Sequence, residues 1–150
     1  MDGDYGFWAM AGAQECNWDV ITRNLGKGWY LLQAKYKSFP ACGAMQSPLG
    51  ALTKLIIDND LKPEEIQQLL VKSDALSALP QYMKNEIYDH FDAQNSFFYN
   101  MSVVVHRVKV GPAWQTDTTL ANPSIIEFMK KVKHEPYAKA IESSYEELSV

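Results

Sequence analysis

Basic stripes, long apolar runs and a cysteine framework are all missing from this chain of 150 residues. Each absence excludes something. Two cysteines, Cys16 and Cys42, allow one disulfide at most, so a secreted scaffold built on disulfides is excluded and a reduced, cytoplasmic setting is expected. A formal charge of −4, with its densest cations only at Lys130, Lys131 and Lys133, gives no electrostatic footprint for nucleic acid. The apolar stretch 7–13 is too short to cross a bilayer, and Asp2 and Asp4 precede it where a signal peptide carries cations. No phosphate-binding, dinucleotide, nucleophile-elbow or zinc-protease motif is found. His90, His106 and His134 have no metal-ligand spacing with each other or with the cysteines, so neither metal nor cofactor is expected, and each reads as a surface or cap histidine.

What remains has the make-up of one soluble globular domain, with enough apolar and aromatic residues to fill a core. The pattern predicts helix over 5–13 and 18–25, the second closed by Gly26. The aromatic, weakly alternating run 29–36 predicts a strand. Ser47-Pro48 opens a helix with Leu49, Leu52, Leu55 and Ile56 on one face and Asn59 at its end. Residues 66–72 suit a short strand, though their leucines and glutamines would also suit a helix. Residues 92–107 carry three consecutive valines that favour a strand, whereas their length and Asp92 as a cap favour a buried helix. Asn122-Pro123 opens an amphipathic helix, 133–135 suits a strand and 138–148 a helix. The sum is an α+β fold: a small antiparallel sheet packed with several helices. Residues 1–28 read as a helical lead-in and 29–150 as the domain proper.

One turn stands out. Lys37-Ser38-Phe39-Pro40-Ala41-Cys42 sets an amine and a thiol five residues apart across a proline-stiffened bend. Lys37 reads either as a solvated cation or, between Tyr36 and Phe39, as an anchor for a carboxylate in a lowered local dielectric. Cys42 reads either as a small buried hydrophobe or as an acid activated by a cationic neighbour. Tyr99 lies in an apolar run, where a buried phenol needs a hydrogen-bond partner.

Lys37-Ser38-Phe39-Pro40, the helix opening at 47–58, and Asp92-Ala93-Gln94-Asn95-Ser96-Phe97-Phe98-Tyr99 follow one another in an order that resembles the C-terminal part of the MmgE/PrpD family. That family includes 2-methylcitrate dehydratase, cis-aconitate decarboxylase and iminodisuccinate epimerase. Gly111-Pro112, the stretch 119–123, the stretch 129–132 and Asp2-Gly3-Asp4-Tyr5-Gly6-Phe7 are similar to further parts of it. The resemblance implies the lid domain of a lyase or isomerase that moves protons on a small polycarboxylic acid without a cofactor. Lys37 and Cys42 would be catalytic there, and Lys37, Phe39 and Tyr99 would hold substrate. Cys42 stands where several members carry histidine, which changes the proton inventory from an imidazole to a thiol. The family's large helical domain has no counterpart in these residues, and Val150 falls about where a final lid strand is expected. The chain alone is therefore expected to be inactive, with a helical partner domain or a second copy covering its inner face. The alternative is a non-catalytic module that self-associates or binds a small carboxylate, with no nucleic-acid or membrane partner.

Overall fold

The computed structural model describes residues 10, 12 and 17–137. The expected helices at 5–13 and 138–148, like Cys16, lie outside the described residues, apart from 10 and 12. The chain divides into two units, Met1–Tyr36 and Lys37–Val150.

In the first unit, Asn17 caps helix α1 (Trp18–Thr22), its side chain accepting from the Asp19 N–H at 3.1 Å. Gly26 adopts a left-handed conformation, φ +74°, in the turn that follows. The expected strand over 29–36 is not formed. Tyr30–Gln33 is a 3₁₀ turn, and Trp29, Leu31, Leu32 and Tyr36 lie in solvent. A strand needs a partner to satisfy its backbone, and aromatic propensity measures fit to such a partner rather than an intrinsic preference.

The second unit is built around one almost wholly buried helix. Helix α2 (Gln46–Asp58) and strand β1 (Leu69–Ser73) come first. Helices α3 (His90–Asn95), α4 (Phe97–Val105), α5 (Asp117–Leu120) and α6 (Pro123–Met129) follow, and strand β2 (Val132–Pro136) closes the order. Helix α4 is buried at all its residues but Phe98 and packs against both α2 and α6. Its valines are helical because burial against neighbouring elements overrides their strand propensity. Of the two readings left open for 92–107 the helical one holds, but as two helices rather than one capped by Asp92. Asp89 caps α3 by accepting from the Asp92 N–H, and Ser96 caps α4 by accepting from the Tyr99 N–H.

Leu49, Leu52 and Ile56 of α2 and Ile125, Phe128 and Met129 of α6 belong to the same core as α4, while Leu55 stays half exposed. Helix α2 starts one residue before Ser47, with Met45 as its cap residue and Pro48 in the first turn, where no intrahelical N–H is needed. Asn59 ends it as expected.

The sheet has two strands, and they run parallel, from Leu69 opposite Val132 to Ser73 opposite Pro136. This corrects the expected antiparallel arrangement. Residues 74–131, which carry four helices, separate the strands, and a long helical crossover of that kind returns the chain in the same direction, where a hairpin would reverse it. The class is mixed helix and strand, with helix predominant.

Candidate functional site

The Lys37–Cys42 turn is held by a side chain that its own sequence does not include. Gln46, in the first turn of α2, reaches back across it. Its Oε1 accepts from the Ser38 and Phe39 N–H groups at 2.9 and 3.0 Å. Its two Nε2 hydrogens are shared among the carbonyls of Phe39, Ala41 and Cys42, at 3.1, 3.2 and 3.4 Å. One amide thereby replaces the backbone partners that an irregular loop lacks.

Two further elements fix the turn from other sides. Gln115 donates its Nε2–H to the Pro40 carbonyl at 3.2 Å, and the Cys42 N–H reaches the Gln94 carbonyl at 3.3 Å. The Phe39 ring stacks on Trp114 with centroids 5.7 Å apart and planes at 29°. Ala41 between them is fully buried. The bend is thus tied to α2, to α3 and to the 3₁₀ turn Pro112–Gln115.

The two chemical groups at its ends have different surroundings. Lys37 is exposed and forms no ion pair among the described residues. Cys42 is a free thiol, half-buried against the core. Its partner is the Tyr82 hydroxyl. A hydrogen bond with the thiol, joined by burial, raises that phenol above its ordinary range. A sulfhydryl beside a phenol is a proton-bearing pair.

Tyr99 is elsewhere. It is buried in α4, its hydroxyl donates to the Trp114 carbonyl, and burial pushes its phenol up to about 12. The structure therefore puts Lys37, Phe39 and Cys42 on one turn, with Tyr99 inside the core beneath it, joined to it through Trp114. A hollow of about 390 Å³ opens beside the turn, lined by Gly43, Ala44, Ser47, Pro48 and Lys72 among others. Its lining includes neither Lys37 nor Cys42.

Sequence reasoning missed Gln46, Gln115 and Tyr82. Gln46 carries a weak signal in hindsight, as a long amide in the first turn of the helix that follows a rigid bend. Gln115 and Tyr82 carry none, because 75 residues separate Gln115 from Pro40 and Tyr82 ends a short 3₁₀ turn, Pro80–Tyr82, far along the chain from Cys42. Among the described residues, no group of three or more His, Cys, Asp or Glu side chains is placed to hold a metal ion, and no helix is long and apolar enough to cross a membrane. No protein-family model matches the chain, and no curated protein matches it.

Proposed function

We propose that the Lys37–Cys42 turn is a carboxylate-gripping half-site, belonging to the lid of an MmgE/PrpD-type lyase or isomerase that works by cofactor-free proton transfer on a small polycarboxylic acid in the cytoplasm. The observation that carries this reading is the Gln46 clamp. Gln46 holds the backbone of Ser38, Phe39, Ala41 and Cys42 in one shape, and a cation meant for a fixed anion must be positioned before the anion arrives. Lys37, uncommitted and at the rim of that rigid bend, is the cation. Cys42 with Tyr82 supplies the exchangeable proton. A half-site of this kind is inactive without the helical domain that would bring the remaining groups.

The test is a titration of the purified chain with citrate, followed by backbone amide shifts. Residues 37–46 are expected to move, with a dissociation constant on the order of millimolar, and Lys37→Ala to weaken binding at least about tenfold. Citrate that leaves those amides unmoved, or binds the alanine variant equally well, would sink the reading. The same preparation is expected to leave 2-methylcitrate and cis-aconitate unconverted, and turnover of either would contradict the half-site.

A second reading, self-association, has its own observation. Trp29, Leu31, Leu32 and Tyr36 are 69, 80, 86 and 92% exposed, a density of large apolar groups that monomers rarely leave in water. A second copy covering them predicts a concentration-dependent dimer in sedimentation, which Leu31→Asp with Leu32→Asp returns to monomer. Monomer at every concentration would exclude it.

A further inference from the structure

Away from the turn, three side chains form a continuous hydrogen-bonded line. His134 Nε2 lies 2.8 Å from Ser73 Oγ, Ser73 Oγ lies 3.1 Å from Ser77 Oγ, and Ser77 Oγ lies 3.3 Å from the Ala44 carbonyl oxygen. Both serines are buried. Counting protons fixes the direction of every bond. A carbonyl oxygen only accepts, so the Ser77 proton goes to Ala44. Ser77 must then accept from Ser73, which uses the only proton Ser73 has. His134 is left as the donor through Nε2–H, and in its neutral form Nδ1 carries the lone pair. The tautomer of one histidine follows from a carbonyl three bonds away.

The line starts on β2, passes the end of β1 and the 3₁₀ turn Ala75–Ala78, and ends in the 3₁₀ turn Gly43–Met45. That last turn continues directly from Cys42, whose carbonyl accepts from the Met45 N–H at 3.0 Å. We propose that His134 is a positioning residue of the Lys37–Cys42 turn, acting through Ser73 and Ser77 on the Ala44 carbonyl. The inference rests on the reading of that turn as a site and adds the element that sets where its thiol end sits.

The ring is fixed for this role. Phe97 packs on it with centroids 4.6 Å apart, and burial lowers its proton affinity below the ordinary imidazole value of 6.5. Phe97 and Phe98 bring no charge to it from α4. The charged groups that line the same hollow as His134 are Glu86, Lys130 and Lys133. Lys72 and Asp74 flank Ser73 in the chain, and Lys133 and Glu135 flank His134. Lys72 and Glu135 pair with each other at 3.2 Å. Protonation adds hydrogen at Nδ1 and leaves the Nε2–H in place. The line therefore persists, and its first bond becomes charge-assisted and shorter. A change at the ring is in this way passed to the Ala44 carbonyl rather than dissipated.

The experiment is a pH titration of the full chain by amide and imidazole resonances. In the wild type, the amides of Gly43, Ala44 and Met45 are expected to follow the His134 midpoint. In Ser73→Ala, His134 is expected still to titrate while those three amides stay flat, and Ser73→Thr, which keeps the hydroxyl, is expected to restore the coupling. Should Ser73→Ala fail to fold, Ser77→Ala cuts the same line one step further on and is read the same way. Flat amides in the wild type, or amides that follow His134 without Ser73, would overturn the proposal. Citrate binding reports separately: its loss with the coupling intact removes the reading of the turn as a site, and its presence with flat amides removes the line.

Discussion

Replacing Gln46 by alanine is expected to weaken citrate binding at the Lys37 turn by at least about tenfold and to cost roughly 2 kcal/mol of stability. The figure is well below five times an ordinary hydrogen bond. The turn is only partly buried, so water takes over some of the freed N–H and carbonyl groups, and the net loss per bond is a fraction of its gross strength. The binding effect has a separate, entropic origin. Freed of the clamp, residues 38–42 regain backbone freedom worth about 1 kcal/mol each, and a ligand that needs the bend must restore that order itself. Gln46→Glu separates the two halves of the clamp. A carboxylate still accepts from Ser38 and Phe39, but its second oxygen faces three carbonyl oxygens to which it cannot donate and its charge repels citrate, so a loss of binding at least as large as alanine's is expected. Thermal unfolding and the citrate titration, run side by side, check both values. An alanine variant that binds as the wild type does would show that the clamp is incidental.

The contrast between Gln46 and residues 29–36 shows what the chain discloses and what it hides. Local chemistry was readable. Asn59 at the end of α2, Asn122-Pro123 at the start of α6 and the apolar faces of both helices depend on neighbours within a few residues. Partnership was not readable. Whether 29–36 becomes a strand depends on another strand coming alongside, and whether 69–73 pairs parallel or antiparallel depends on the path of the following 58 residues, 74–131. The candidate site divides in the same way. Lys37, Phe39 and Cys42 could be named from one stretch of sequence. Their supports, Gln115, Trp114, Gln94 and Tyr82, come from segments whose closeness only the folded core creates. Tyr99 shows the converse, since its apolar neighbours announced burial and the hydroxyl found a carbonyl inside the core.

Trp114→Ala is expected to be the most damaging single change in the second unit, lowering stability by about 3–5 kcal/mol. Trp114 is among the largest fully buried side chains described, and it already borders a hollow of about 260 Å³ shared with Ile56, Val104 and Val108. Removing the indole enlarges a space that its neighbours do not fill, so relaxation recovers little of the lost packing. The Val108 carbonyl loses the Nε1–H donor that reaches it at 3.0 Å, and Phe39 loses the ring it stacks on. Against a total stability of roughly 5–15 kcal/mol, a loss of this size brings the unfolded state within reach of mild denaturant. Trp114→Phe discriminates packing from hydrogen bonding. It keeps an aromatic surface beneath Phe39 but leaves the Val108 carbonyl unpaired, and a cost of about 1–3 kcal/mol is expected. If stacking on Trp114 holds the turn as the Gln46 clamp does, the phenylalanine variant retains most of its citrate affinity and the alanine variant loses it even where it is folded. Equal citrate affinity in the two folded variants would show that the stack stabilises the core without shaping the turn.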